Sequence, residues 1–218
     1  MKNYLQFIFQ NFLYLTLLFS IIVFGLTADK LLSIDSHEKY SLLLIGIFFL
    51  SLFSTMNLYY YDKKYNHYLK QKVDSYWAEF FSQFLTIIIS NLISGILIFA
   101  FSQIFSPDII LDLVGVLTLI SVGILGGSIA ALFKTQWYNH SSFGQIGILV
   151  FVYLALSGSV ISIFKPVQIL FPPLSELITN LHSTASIVSL LPVSGQTLAY
   201  SLVLFLISSF IYKRNRKS

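Results

Sequence analysis

Few side chains in this sequence could carry out a reaction, and their spacing decides against most of them. Ser157-Gly158-Ser159 and Gly127-Ser128 supply hydroxyls that could serve as nucleophiles, but a serine attacks only with a base in hydrogen-bond reach. The four histidines, His37, His67, His140 and His182, all fall in stretches that read as loops, so none is expected beside those serines. The phosphate-cradling pattern GxxxxGK[ST] does not occur, and neither does HExxH nor any clustered spacing of His with acids. The absence of cysteine excludes thiolate ligands and disulfides. Asn139-His140-Ser141 has the form of a glycosylation acceptor, yet the charge pattern below places it in the cytosol. The chain is therefore expected not to be an enzyme and to bind no metal or cofactor of its own.

The polar residues that remain lie inside apolar runs. Ser82, Gln83, Thr86, Ser90, Asn91, Ser94 and Gln103 share one such run. Amides and hydroxyls at that depth must find partners, so they are expected to face other helices or a cavity. Asn91, Ser94 and Gln103 are the candidates for a translocation path, the alternative being ordinary inter-helix glue. Asp112 stands one turn inside the next run, where it is expected to reach water. No acid lies near the middle of any run, which argues against an ion-coupled carrier.

The elements holding these residues follow from composition. Of 218 residues 56% are hydrophobic and 10% charged, against about 25% charged in a soluble domain, and the mean hydropathy is +0.80. The expected fold is an all-α integral membrane protein forming one domain over residues 1–218, with the lipid bilayer as its solvent. A span needs about 20 mostly apolar residues, and six windows qualify: Leu5–Leu26, Ser41–Tyr60, Phe80–Phe105, Ile109–Phe133, Ile146–Phe164 and Leu198–Tyr212. The first resembles a signal peptide but is too long for one, and is read as retained. With the N-terminus inside, the inner side holds Lys2, Lys63, Lys64, Lys70, Lys72, Lys134, Lys213, Arg214, Arg216 and Lys217, and the outer side only Lys30, Lys39 and Lys165. Lys and Arg mark the cytosolic side, so both termini are expected there. No basic stripe with exposed stacking residues points to nucleic acid.

Three stretches carry further expectations. Gly123, Gly127 and Ala131 form a small-residue face on the fourth window, suited to close helix packing within the subunit or to a dimer interface. Lys165–Ser194 is apolar yet broken by Pro166, Pro172, Pro173 and Pro192. It reads as a re-entrant helical pair before the last span, or as an outer loop on the headgroups. Tyr59–Glu79 is the one long polar interruption; on a helix its aromatic residues gather on one face. Such a helix lies in the headgroup zone, as an anchor or as a stripe offered to a partner.

The set of six spans, an inner amphipathic helix between the second and third, and a proline-broken apolar pair before the sixth resembles the permease subunits of ABC exporters of the second type, the ABC-2 family. GGSIAALFKTQ looks like that family's fourth span, LSGSVISIFKPVQILFPPL like its fifth running into the outer helices, and LLPVSG like the proline-led approach to its last. The resemblance implies a multi-pass permease in a cell membrane, paired with a second permease as a homo- or heterodimer, and the Ile-, Phe-, Ser- and Lys-heavy composition suggests a bacterium. ATP and Mg would be bound by a separate ATPase subunit. It also implies a coupling helix whose contact stripe would be Tyr65, Tyr68, Leu69, Val73, Tyr76 and Trp77. The family often opens with a basic elbow helix, and with a single Lys in MKNYLQFIFQNF that elbow is expected to be reduced to the first eleven residues. The expected cargo is amphipathic: peptides, antibiotics or lipid-like molecules. The alternative is a non-transporting immunity or assembly protein that binds peptides or partners at the membrane.

Overall fold

The computed structural model describes residues 2–32, 38–65, 76–105, 109–136, 141–157, 172, 174 and 190–215. Among these the chain is entirely helical: α1 (Lys2–Gln10), α2 (Phe12–Leu32), α3 (Glu38–Tyr65), α4 (Tyr76–Phe105), α5 (Ile109–Gln136), α6 (Ser141–Ser157) and α7 (Leu190–Asn215). Four helices are long and apolar enough to cross a membrane: α3, α4, α5 and α7. A fifth crossing results if α1 and α2 count as one broken span. The window expected at Ile146–Phe164 overlaps α6, Ser141–Ser157, while residues 158–164 lie outside the described residues.

α5 is the centre of the bundle. In its apolar window 72% of residues are buried, against 39% in α4 and in α7, so the other helices wrap this one. Small residues let them approach. A β-carbon on Gly126 would stand 2.6 Å from the Phe48 carbonyl oxygen of α3, so only glycine admits the α3 backbone there. Gly115 faces the Tyr40 ring in the same way.

The outward faces are as apolar as the inside. Leu92 and Ile96 of α4, Leu149 and Val150 of α6, and Leu202, Val203 and Leu206 of α7 are exposed. In water such patches would aggregate; against lipid they are an ordinary surface. The fold is thus compatible with a multi-pass membrane protein.

Two boundaries differ from the sequence expectation. The window Leu5–Leu26 is not one helix: Asn11 ends α1 and starts α2, and the two axes differ by 63°. The Asn11 side-chain oxygen accepts the Leu13 N–H at 3.1 Å, as an N-cap residue does. On α1, Tyr4 and Ile8 are buried while Asn3, Gln6 and Gln10 are exposed, which makes it amphipathic. The second difference concerns Tyr59–Glu79. Its start completes α3 as far as Tyr65 and its end opens α4 from Tyr76, leaving residues 66–75 outside the described residues. No glycine or proline separates Tyr59–Tyr65 from the apolar part of α3, or Tyr76–Glu79 from that of α4, so nothing stops either helix at the end of its apolar window.

Candidate functional site

Polar side chains are buried at three levels along the bundle, each joining different helices. At the start of α5, Asp112 is completely buried. The Tyr40 hydroxyl of α3 donates to one carboxylate oxygen, and the Gln103 side-chain N–H of α4 donates to the other at 2.7 Å. A carboxylate in the first turn also meets the positive end of the helix dipole. The sequence expectation that Asp112 reaches water is corrected here: Gly115, one turn on, leaves room for the Tyr40 ring to cover it.

Halfway along, the Asn91 amide of α4 donates to the Ser51 hydroxyl of α3 at 3.0 Å and to the Ile87 carbonyl at 2.8 Å. Its side-chain oxygen rests against Gly123, where a larger residue would displace it. Ser94 bonds the Ser90 carbonyl at 2.9 Å and shares a 2.8 Å bond with the Tyr14 hydroxyl of α2. At the opposite end of the bundle, the Tyr212 hydroxyl of α7 donates to Glu79 of α4 at 2.6 Å, with Glu79 buried. Phe80 and Phe84 close on Phe205 beside it, with ring centroids 5.7 and 4.3 Å apart. Thr135 and Ser208 add a 3.3 Å contact between α5 and α7.

Asn91, Ser94 and Gln103, the candidates for a translocation path, are therefore each engaged by a neighbouring helix within the single chain. The small-residue face is likewise spent inside the subunit. Gly127 packs against Ile87, Ser51 and Thr55, and Ala131 is fully buried among Tyr59, Phe80, Ile87 and Phe205. Of its two sequence readings, packing within the chain is the one observed.

Of the expected partner-binding stripe, Tyr65 and Tyr76 are the terminal residues of α3 and α4, and Tyr68, Leu69 and Val73 lie outside the described residues. Trp77 is half exposed and stacks on the equally exposed Phe81, centroids 5.9 Å apart. In the proline-broken segment Pro172 and Leu174 are buried, and the Leu174 N–H donates to the Pro172 carbonyl at 2.8 Å. Pro173 lies outside the described residues. Pro192 belongs instead to the first turn of α7, where a missing N–H costs no helical bond.

Two carboxylates escaped the sequence reading. Asp112, expected to reach water, and Glu79, the last residue of the polar stretch Tyr59–Glu79, are both buried beneath a tyrosine. The Asp112-x-x-Gly115 spacing carried a trace of the first; Tyr212, 133 positions away from Glu79, left none for the second. No cluster of three or more metal-ligating side chains occurs among the described residues, and all four histidines lie outside them.

The fold and these contacts define a class: a helical bundle with a lipid-compatible surface and a hydrogen-bonded interior. Comparison with protein-family models, with curated proteins and with solved structures finds no match.

Proposed function

We propose that this chain is the permease subunit of an ATP-driven exporter of the ABC-2 kind, set in a bacterial cell membrane with six spans and both termini in the cytosol. A separate ATPase subunit supplies the energy, and a second permease completes the channel. The observation that carries this reading is α1: a short amphipathic helix, ended at Asn11 and turned 63° from the first long helix. That is the place and size of the reduced elbow which the sequence resemblance implies. α1 is held to the bundle by Tyr4 and Ile8, whose side chains join the main core.

The drive enters between α3 and α4. α3 continues to Tyr65, past Tyr60, after which Asp62, Lys63 and Lys64 interrupt its apolar run. Trp77 and Phe81 offer an exposed aromatic pair at the start of α4, suited to a groove on the ATPase. A shape change in the ATPase then biases the permease between two states through differential contact. Because Asn91, Ser94 and Gln103 are bonded within the chain, the path for an amphipathic cargo is assigned to the seam between two permeases.

Co-purification tests this reading. The native chain is expected to bring down an ATPase subunit, and the Tyr68→Ala, Trp77→Ala double variant to lose it while remaining in the membrane. ATPase association undiminished in that variant would overturn the proposal. The closed state of Asn91, Ser94 and Gln103 favours one rival, a non-transporting immunity or assembly protein. Nucleotide-dependent export from vesicles holding the purified complex separates the two.

A further inference from the structure

The turn at Asn11 opens a cleft between α1, α2 and α3 that is divided by chemistry along its length. One end is polar: Asn11 at the α1–α2 junction faces Ser54 and Asn57 of α3. The remainder is apolar, with Leu13 and Leu17 of α2 opposite Phe53 of α3. The cleft encloses only about 20 Å3 and is otherwise open to its surroundings, so it is a shallow groove rather than a closed cavity. Asn57 is exposed and Ser54 half exposed, and neither side chain bonds another described residue. The Asn11 oxygen already accepts the capping bond from the Leu13 N–H, and its amide N–H groups, the Asn57 amide and the Ser54 hydroxyl are each able to donate.

Three donors and an apolar strip leading away from them call for a ligand with hydrogen-bond acceptors at the root of a hydrocarbon chain. The position on the helix agrees. The apolar run of α3, Ser41–Tyr60, lies between Glu38-Lys39 and Asp62-Lys63, and its length of about 30 Å matches the hydrocarbon core. Asn57 is one turn inside its Tyr60 end and Ser54 two turns. This is close to where the ester carbonyls of a glycerolipid meet its chains, and a donor there has little water to turn to. Among the described residues no charged side chain lines the cleft, so the described lining holds no group that selects a phosphate or a headgroup charge.

We propose that this cleft binds one acyl ester of a membrane glycerolipid, its carbonyl received by Asn57, Ser54 and Asn11 and its chain laid along Leu13, Leu17 and Phe53. The inference requires the bundle to stand in a bilayer and is independent of the exporter reading. Its test compares lipids that differ only in linkage. The full-length chain is purified from nanodiscs of diester phosphatidylcholine or of the diether analogue with equal chains. Lipid retained after detergent exchange is then counted by native mass spectrometry.

Retention of one diester lipid is expected to exceed that of the diether by roughly fivefold, the effect of one net hydrogen bond. Asn57→Leu is expected to bring the diester down to the diether level, and Ser54→Ala to lower it in the same direction, with helicity checked by circular dichroism. Diester phosphatidylglycerol should bind as phosphatidylcholine does. Equal retention of diester and diether, no loss in either variant, or a strong preference for the anionic lipid would each overturn the proposal. A chain that washes off membranes in carbonate would instead break the membrane reading itself.

Discussion

Asp112 and Glu79 are buried acids at opposite ends of one bundle, and they are held differently. Both accept a tyrosine hydroxyl from a helix distant in sequence. Asp112 has each oxygen engaged by a different helix, so α3, α4 and α5 meet at a single carboxylate. The Tyr212 hydroxyl ties Glu79 to α7, and the flank of this bond is aromatic, with Phe80, Phe84 and Phe205 packed together. α4 carries both arrangements, Glu79 near its start and Gln103 near its end, about 36 Å apart along the helix. The contrast teaches that one carboxylate gathers three helices near the end of α4, whereas near its start a carboxylate bond to α7 is backed by aromatic packing.

Substitutions that break one end and spare the other test this contrast. The largest loss is expected for Asp112→Ala, which removes the acceptor shared by Tyr40 and Gln103; unfolding in SDS-titrated micelles should show about 3 kcal/mol. Gly126→Ala acts between the two ends by pushing the α3 backbone away, and overpacking of this kind costs about 2 kcal/mol in the same titration. Tyr212→Phe removes one bond and leaves the aromatic knot standing, so about 1 kcal/mol is expected. A Tyr212→Phe loss equal to that of Asp112→Ala would erase the difference between the ends. Thr135→Val should cost least, about 0.5 kcal/mol, because the Thr135 contact to Ser208 is long and its hydroxyl also bonds the Leu132 carbonyl. A double-mutant cycle on Tyr40 and Asp112, set against one on Tyr212 and Glu79, sharpens the comparison to the pairwise terms.

The sequence showed the apolar windows because hydropathy is local. Ser41–Tyr60 lies within α3, and Phe80–Phe105 ends where α4 ends. Gly123 and Gly127 were legible as a packing face for the same reason, since their spacing alone brings them to one side of a helix. The partners of Asp112 and Glu79 were not legible, as they come from segments 72 and 133 residues away and only the folded bundle brings them together. Asn11 lies between these cases. A polar capping residue ahead of an apolar run is a helix-start signal, but the run on both sides is apolar enough to hide it within one span. The polar stretch after Tyr59 misled in the opposite sense: polarity can mark the end of an apolar window without marking the end of a helix.

α2, α3 and α4 all precede α5 in the chain. During synthesis α2, α3 and α4 therefore leave the ribosome before the helix they are built around exists. Until then Tyr40, Ser51, Asn91 and Gln103 have no α5 beside them. The order of the gene thus imposes a waiting period, and whatever shelters those nascent segments must release them once Gln136 has emerged.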